Sequence, residues 1–403
     1  MKVYIITKEP FPNGMAATNR IKCYAKAIAE QGIKCEVLIF TRTEVYGKIP
    51  KNTVGKGHFD DIPFRYIGGT PLRGSNVLVR QLNDRLDRWR LLWYLRKNLK
   101  KGDVVFAYMG TFVDYSLKII DITHKCGAFY LYDLCEYPYG TGAETKKVVR
   151  NRCKTLNKLY PLFDGVIPIS DTLCELAKQY VNPKCQILKV PILVDYDKYN
   201  IENLSDKAEY PYIFHSGTLY EQKDGILGMI EAFGMAKQKL DREFRFVSTG
   251  KIENSPHATE IKRIISKYNI EKHIHFTGYL SDEELKDYLS KASLVIINKY
   301  RTQQNQYCFS TKLGEYLAAS KPVIITNVGE AMNWLEDGVS AYIVEPENVN
   351  SLSNAIVKAF SDDGIRQRIS LQGNAICRNC FDYRVWGEKI TKMLYKCKNE
   401  IYE

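Results

Sequence analysis

Short apolar runs alternate with amphipathic stretches along nearly the whole chain. In the first half, residues 3–7, 36–40, 103–108, 129–132 and 165–168 read as strands. Residues 17–30 and 114–126 repeat their apolar positions at helical spacing. Gly32 closes the first of these helices, and Ser170 caps a further one. Strands that are apolar almost throughout, with helices between them, predict a parallel sheet covered on both faces. Residues 195–209 are polar and aperiodic, a candidate linker, and then the pattern restarts. Residues 212–215, 244–248, 274–276, 294–297, 323–326 and 341–344 form a second set of strands, with a helix at 225–240 and helix-like segments between the others. Two α/β domains in tandem, with ligand sites at the carboxyl ends of their strands, place an active site in the cleft between them.

A length of 403 residues is too great for one core and suits two domains of nearly equal size. Hydrophobic content of 45% with 26% charged residues is that of a soluble globular protein. Eleven cysteines, without histidines at ligand spacing, argue against a disulfide framework and a zinc site and for a reducing cytoplasm. The first residues read as a strand and a Pro/Gly loop rather than a signal peptide, and no apolar run approaches the length of a membrane span. The net charge of +12 changes the picture more. Residues 1–200 hold 32 Lys and Arg against 19 Asp and Glu, and the remainder 26 against 27. The whole excess therefore belongs to the partner of the first half.

The segment Cys308-Phe-Ser-Thr-Lys-Leu-Gly-Glu315-Tyr-Leu-Ala-Ala-Ser-Lys-Pro-Val-Ile324 carries the most chemistry. It follows the apolar run Leu294-Val-Ile-Ile-Asn298, opens a helix at Ser310-Thr311-Lys312, and is stopped by Pro322. A helix start offers unpaired N–H groups and the positive end of the helix dipole, a seat for phosphate to which Lys312 adds a full charge. Glu315, one turn on, can accept hydrogen bonds from sugar hydroxyls. Read alone, the same residues also describe an ordinary capped helix with an exposed Glu.

This segment resembles the donor-nucleotide motif of retaining glycosyltransferases of family 4, whose fold is called GT-B. The family pattern is Glu, seven residues, Glu, then a small-residue turn and Pro-Val-Ile. Glu315 takes the second place and Tyr307 the first, so half of the carboxylate pair is kept. The resemblance implies Glu315 near the donor ribose, position 307 near the transferred sugar, and Ser310, Thr311 and Lys312 beside the diphosphate. It also implies two Rossmann-like α/β domains facing each other across a cleft. Residues 1–200 would take the acceptor side and 201–385 the nucleotide-sugar side, with a C-terminal helix in 386–403 crossing back to the first. Tyr307 leaves the identity of the sugar open.

Further segments match in order and spacing. Pro10-Phe-Pro-Asn-Gly14 follows the first strand, where the family has a Gly-containing loop; Gly14 admits close backbone approach, although a plain tight turn fits too and no GxGxxG is present. His215-Ser-Gly217-Thr218 through Lys223-Asp-Gly225 is similar to the family's Gly-Arg-Leu … Lys-Gly segment, whose Arg and Lys grip the donor diphosphate. Thr218 replaces the Arg, which leaves Lys223 and Lys312 to share the leaving-group charge. Tyr132-Asp133-Leu-Cys-Glu136 looks like the family's His-Asp-x-x-Glu stretch, implying Asp133, and less strongly Glu136, at the sugar or acceptor; a turn cap is the alternative. Gly250 and Gly278 complete the donor-side set, Gly278 lying in a segment that resembles the loop against the base. Val328-Gly329-Glu330 resembles the closing loop. Asp195-x-Asp197 falls in the linker and reads as a structural turn, so no metal is expected and the nucleotide sugar, UDP- or GDP-linked, is substrate rather than cofactor.

The stretch from Arg73 to Lys101 holds nine Lys and Arg against Asp84 and Asp87, interleaved with Leu82, Leu86, Trp89 and Trp93. Such a helix fits the interface of an anionic membrane, where each near-surface cation contributes ~1 kcal/mol, or packs as an amphipathic helix on its own domain. No nucleic-acid motif accompanies the charge. The expectation is a hexosyltransferase, cytoplasmic and peripheral at the inner face of the cell membrane. It would act on a glycan or lipid-linked acceptor of capsule, O-antigen or exopolysaccharide synthesis. A sugar-nucleotide epimerase of similar fold and a non-catalytic nucleotide-sugar-binding protein are the alternatives.

Overall fold

A computed structural model of the chain describes residues 1–109, 112–139, 144–200 and 208–399. They divide into two α/β units, Met1–Leu193 with Tyr383–Glu403, and Val194–Asp382.

The first unit is built on β1 (Lys2–Thr7), β2 (Lys34–Ile39), β3 (Lys56–Phe59), β4 (Ile62–Tyr66), β5 (Val104–Tyr108), β6 (Phe129–Leu134), β7 (Gly165–Pro168) and β8 (Gln186–Ile187). They form one sheet in the order β3-β4-β2-β1-β5-β6-β7-β8, and every neighbouring pair is parallel except β3 with β4. Val3, Ile5 and Ile6 of β1 and Val104, Val105, Phe106 and Ala107 of β5 are all buried, which requires cover on both faces of the sheet. Of the helices α1 (Ala16–Ala29), α2 (Val77–Asn98), α3 (Val113–Lys125), α4 (Lys146–Lys154) and α5 (Asp171–Tyr180), it is α1, α3 and α5 that supply most of it, whereas α4 buries no residue. In α1 the buried Ile21, Tyr24, Ala25 and Ile28 form a single stripe at helical spacing.

The hairpin β3–β4 lies in a stretch whose sequence suggested no strands. Of the 22 residues of α2, only Asp87, Leu91 and Leu95 are buried. Leu78, Leu82, Trp89 and Trp93 are exposed by 74%, 57%, 61% and 51%, so this helix is not packed into its own domain along that face.

The second unit opens with α6 (Tyr196–Tyr199) where a linker was expected. Tyr196 and Tyr199 are buried, and Tyr196 donates to Asn374 Oδ1 at 2.8 Å, so this turn is anchored rather than free; residues 201–207 lie outside the described residues. Its sheet contains β9 (Tyr212–His215), β10 (Arg245–Ser248), β11 (Ile274–Phe276), β12 (Leu294–Ile297), β13 (Val323–Thr326) and β14 (Tyr342–Val344). The order is β11-β10-β9-β12-β13-β14, parallel throughout. Around it run α7 (Glu221–Asp224), α8 (Ile226–Lys239), α9 (Ala258–Tyr268), α10 (Asp282–Lys291), α11 (Gln303–Tyr307), α12 (Thr311–Ala318), α13 (Val349–Ser361) and α14 (Asp363–Ile376). Cys377 and Cys380, the one Cys-x-x-Cys spacing, are not disulfide-bonded.

The chain then returns to the first unit as α15 (Arg384–Asn399), whose Trp386, Ile390, Met393 and Leu394 join that unit's core. Gly387 lets α15 approach α1 closely, since a Cβ there would stand 2.9 Å from the carbonyl oxygen of Ala27.

Candidate functional site

In the second sheet the strand order reverses between β9 and β12: β10 and β11 lie to one side of β9, β12 to β14 to the other. In parallel α/β sheets, ligands bind in the crevice outside the carboxyl ends of the strands at such a point. Three segments meet there: the loop after β9, the residues after β12, and the first turn of α12.

Gly217 is held from two sides. Its N–H donates to Thr249 Oγ1 at 2.8 Å, and the Thr249 hydroxyl donates to its carbonyl at 2.7 Å. What the glycine leaves open is space rather than a donor. A Cβ there would strike the His215 ring and stand 2.6 Å from Lys312 Nζ. Thr218, in the place of the family's Arg, donates both its N–H (2.8 Å) and its hydroxyl (2.6 Å) to Oδ2 of Asp224. The other oxygen, Oδ1, takes the Lys312 ammonium at 2.7 Å and faces Lys299 Nζ at 3.7 Å.

Asp224 is buried, which by itself raises a carboxyl pKa. The nearby cations, Lys312 first among them, outweigh burial and hold it well below the usual carboxylate range. Asp224 is thus an anion that fixes two ammonium groups. Burial and the Lys312 charge in turn lower the pKa of Lys299. His215 is buried, and burial followed by Lys312 brings its pKa down to about 3. The imidazole is therefore neutral at pH 7. Its Nδ1 donates to the Ile296 carbonyl, 3.3 Å away, since a carbonyl can only accept. Nε2 is then a bare acceptor, buried and without a partner among the described residues.

The first turn of α12 completes the cluster. Ser310 is its N-cap but makes no side-chain cap bond, so nothing on its own side chain closes the helix end. The Leu313 N–H returns to the Ser310 carbonyl at 3.1 Å, while the N–H groups of Thr311 and Lys312 have no backbone partner among the described residues. Tyr316 ties α12 to the β9 loop by accepting the Ser216 N–H at 2.8 Å. Glu315 is half-buried, with Oε1 accepting from the Tyr199 hydroxyl at 3.2 Å. Tyr307 ends α11, half-buried, and the loop beyond β13 presses close to that helix. A Cβ on Gly329 would stand 2.8 Å from the Cys308 carbonyl oxygen. Gly250 and Gly278 bond each other across the loops after β10 and β11, Gly250 N–H to Gly278 O at 2.8 Å and Gly278 N–H to Gly250 O at 3.1 Å. Lys223 is exposed on α7, and its carbonyl accepts from Lys299 Nζ.

Sequence reasoning missed Asp224, Lys299 and His215. His215 ends β9, Lys299 follows β12 and Asp224 ends the short α7 that follows the β9 loop, so a place at or beyond a strand's carboxyl end is the one signal that could have found them.

In the first unit, Gly14 lies in the loop after β1 against Thr18, whose hydroxyl donates to the Pro10 carbonyl at 2.6 Å. Asp133, expected at the sugar or acceptor, leaves its Oδ2 without a hydrogen-bond partner among the described residues. It is buried at the end of β6, where Oδ1 receives Arg20 at 3.2 Å and the Tyr24 hydroxyl at 2.5 Å. Arg20 also reaches the carbonyls of Pro191 and Val190 at 2.6 and 3.0 Å. A buried pair tied to three further groups is a brace of the unit, and losing one partner strands the other charge. Glu136 is exposed just beyond. Among the described residues no group of three His, Cys, Asp or Glu side chains could hold a metal ion, and no helix is long and apolar enough to cross a membrane.

Residues 198–375 match the family model of glycosyl transferases group 1. An uncharacterized glycosyltransferase of Methanocaldococcus jannaschii is 26% identical over 204 residues, covering 51% of this chain and 54% of that protein. The human α-1,3/1,6-mannosyltransferase ALG2 is 23% identical over 186 residues, covering 44% and 43%. The chain thus spans about half the length of the curated relatives it matches. Among solved structures, a glycosyltransferase from Rickettsia africae superposes with a TM-score of 0.68 at 18% identity over 98% of both chains. The Anabaena protein HepE, crystallised with UDP-glucose, gives 0.68 at 15% identity over 98% of this chain and 100% of that one. The fold is GT-B. The GT-B likeness covers both units, whereas the group 1 match is confined to the second, which holds the Asp224 cluster.

Proposed function

We propose that this chain transfers a sugar from a UDP- or GDP-linked donor to an acceptor hydroxyl with retention of configuration, as a family 4 enzyme of surface-glycan assembly. One observation carries the reading: Asp224 holds Lys312 and Lys299 beside the open N–H groups of α12. When the bond from the anomeric carbon to the phosphate oxygen breaks, its electron pair goes to the diphosphate. Cations fixed in advance stabilise that charge without reorganising. The acceptor's proton passes to the departing phosphate. Glu315, beside Tyr199, is suited to the ribose hydroxyls. The group 1 match and the UDP-glucose complex of the Anabaena protein support the same donor class.

The acceptor is lipid-linked, and the first unit meets it at an anionic membrane through α2. The support is the exposed Leu78, Leu82, Trp89 and Trp93 among the arginines of that helix. A thermal-shift panel of UDP- and GDP-sugars tests the donor class. A ligand at about 100 times its dissociation constant stabilises by ~2.7 kcal/mol. The anomeric configuration of the product, read by NMR, tests retention. No shift with any donor would overturn the reading, and donor epimerisation without an acceptor would replace it by an epimerase.

A further inference from the structure

A groove of about 440 Å³ opens between α2 and α3 in the first unit. Its lining combines an apolar floor of Leu92 and Phe112, the exposed Trp89, and the cations Arg85, Arg88 and Lys118. The one acid in the lining, Asp114, is bound to Lys154 at 2.5 Å, so these cations are not neutralised from within. Arg88 is the informative residue. Its guanidinium lies over the rings of Phe112 and Tyr115, 5.2 and 5.9 Å from their centroids, and its Nε is buried without a partner. It forms no ion pair among the described residues, and a half-buried guanidinium held over aromatic faces lacks the anion that such a fork matches. Lys8, in the loop after β1, reaches the same Phe112 ring at 5.6 Å.

The position is that of a ligand site. The strand order of this sheet reverses between β1 and β5, and Lys8 and Phe112 follow those two strands at their carboxyl ends. The volume falls within the range of small-molecule sites, and the apolar floor continues onto the exposed Trp89 of α2.

We propose that this groove binds an amphiphilic phosphate, a phosphoryl head bearing a single hydrocarbon chain, with the phosphate on Arg88 and the chain laid along Phe112, Leu92 and Trp89. The inference names the class of lipid that carries the acceptor hydroxyl in the transfer described above and rests on that reading for its meaning. The binding itself involves the first unit alone.

The test is calorimetric titration of the full chain with farnesyl phosphate below its micellar concentration, with farnesol and inorganic phosphate as the two partial ligands. Farnesyl phosphate should bind at least tenfold more tightly than either. Arg88→Gln should remove most of that advantage, as should Trp89→Ala, a change at an exposed residue that leaves folding intact. Arg88→Lys should recover only part of it, because a point charge does not replace the fork. Equal binding of farnesol, equal binding of inorganic phosphate, or no binding of farnesyl phosphate would each overturn the proposal. Nucleotide-sugar thermal shifts on the same samples separate the two readings. A donor shift without farnesyl phosphate binding sinks the groove alone, and the converse sinks the transfer reading alone.

Discussion

Lys312 Nζ lies 2.7 Å from Oδ1 of Asp224, a carboxylate whose other oxygen is taken twice by Thr218. The family's Arg is missing at position 218, and its replacement does not touch phosphate. It orients the acid that holds a different cation. Asp224→Asn should therefore loosen Lys312 and Lys299 together and leave their charges unbalanced. Breaking a buried pair costs ~3–5 kcal/mol, and because this one is partly open the expected loss is toward the lower end. Thermal denaturation checks it, and an unchanged midpoint would mean the carboxylate is not structural.

The pH dependence follows from the same cluster. The pKa of His215 is depressed to about 3, so its contribution is fully present above the ordinary histidine value of about 6.5 and is lost as pH falls from there toward about 3. Asp224 is also depressed, and its contribution is lost only below the ordinary aspartate value of about 3.9. His215→Asn, which keeps a donor toward Ile296 but cannot titrate, should remove up to ~1.4 kcal/mol per pH unit of destabilisation across the histidine window. Denaturant titrations of both proteins from pH 7 to pH 4 would show it. Parallel stability curves would mean His215 is not held neutral.

Gly217→Ala should abolish donor binding and also lower the stability of the second unit. The added methyl meets the flexible end of Lys312 and the His215 ring, both of which can shift only by leaving the cluster. Retained nucleotide affinity would show that the space over Gly217 is not used.

Lys312→Ala and Lys299→Ala should lower kcat more than they weaken the donor, if charge accumulates on the diphosphate as the bond breaks. Lys223→Ala, at an exposed residue, should have the smaller effect. Turnover and equilibrium affinity measured on all three variants decide this, and a larger effect at Lys223 would reverse the assignment.

Glu315→Ala should weaken nucleotide binding about tenfold, the scale of one charge-assisted hydrogen bond of ~1.5–3 kcal/mol. Tyr199→Phe should weaken it less, since it removes only the hydroxyl that orients the carboxylate. Fluorescence titration with UDP and GDP compares them, and equal losses would make Tyr199 a direct contact.

The strands were legible because parallel strands buried on both faces are written as unbroken apolar runs. Residues 165–168, 212–215, 274–276, 294–297 and 323–326 were read at their observed bounds. The hairpin β3–β4 was not, because its partly exposed strands mix Lys56, His58 and Arg65 with apolar residues. Site residues split the same way. Gly217, Lys312 and Glu315 lie in segments that announce a helix start or a turn. Asp224 and Lys299 are drawn into the cluster by contacts 88 and 75 positions distant in sequence, and their place beyond a strand's carboxyl end was the one local sign of them. Asp133 shows the converse: its place at a strand end was legible, but the pairing of its Oδ1 with Arg20, 113 residues away, was not.

Val194 and Asp382, the first and last residues of the second unit, stand side by side, with the Val194 N–H bonded to the Phe381 carbonyl at 2.9 Å. With the rest of the first unit folded and the second still unfolded, docking α15 onto α1 means closing a loop of roughly 190 residues, an entropic cost on the order of 4–5 kcal/mol. Once the second unit has folded, its own ends are already adjacent and most of that cost disappears. The order of assembly is thereby built into the connectivity: the terminal helix is delivered to the first unit by the folding of the second, and lesions that slow the second unit should leave α15 undocked and open to proteolysis.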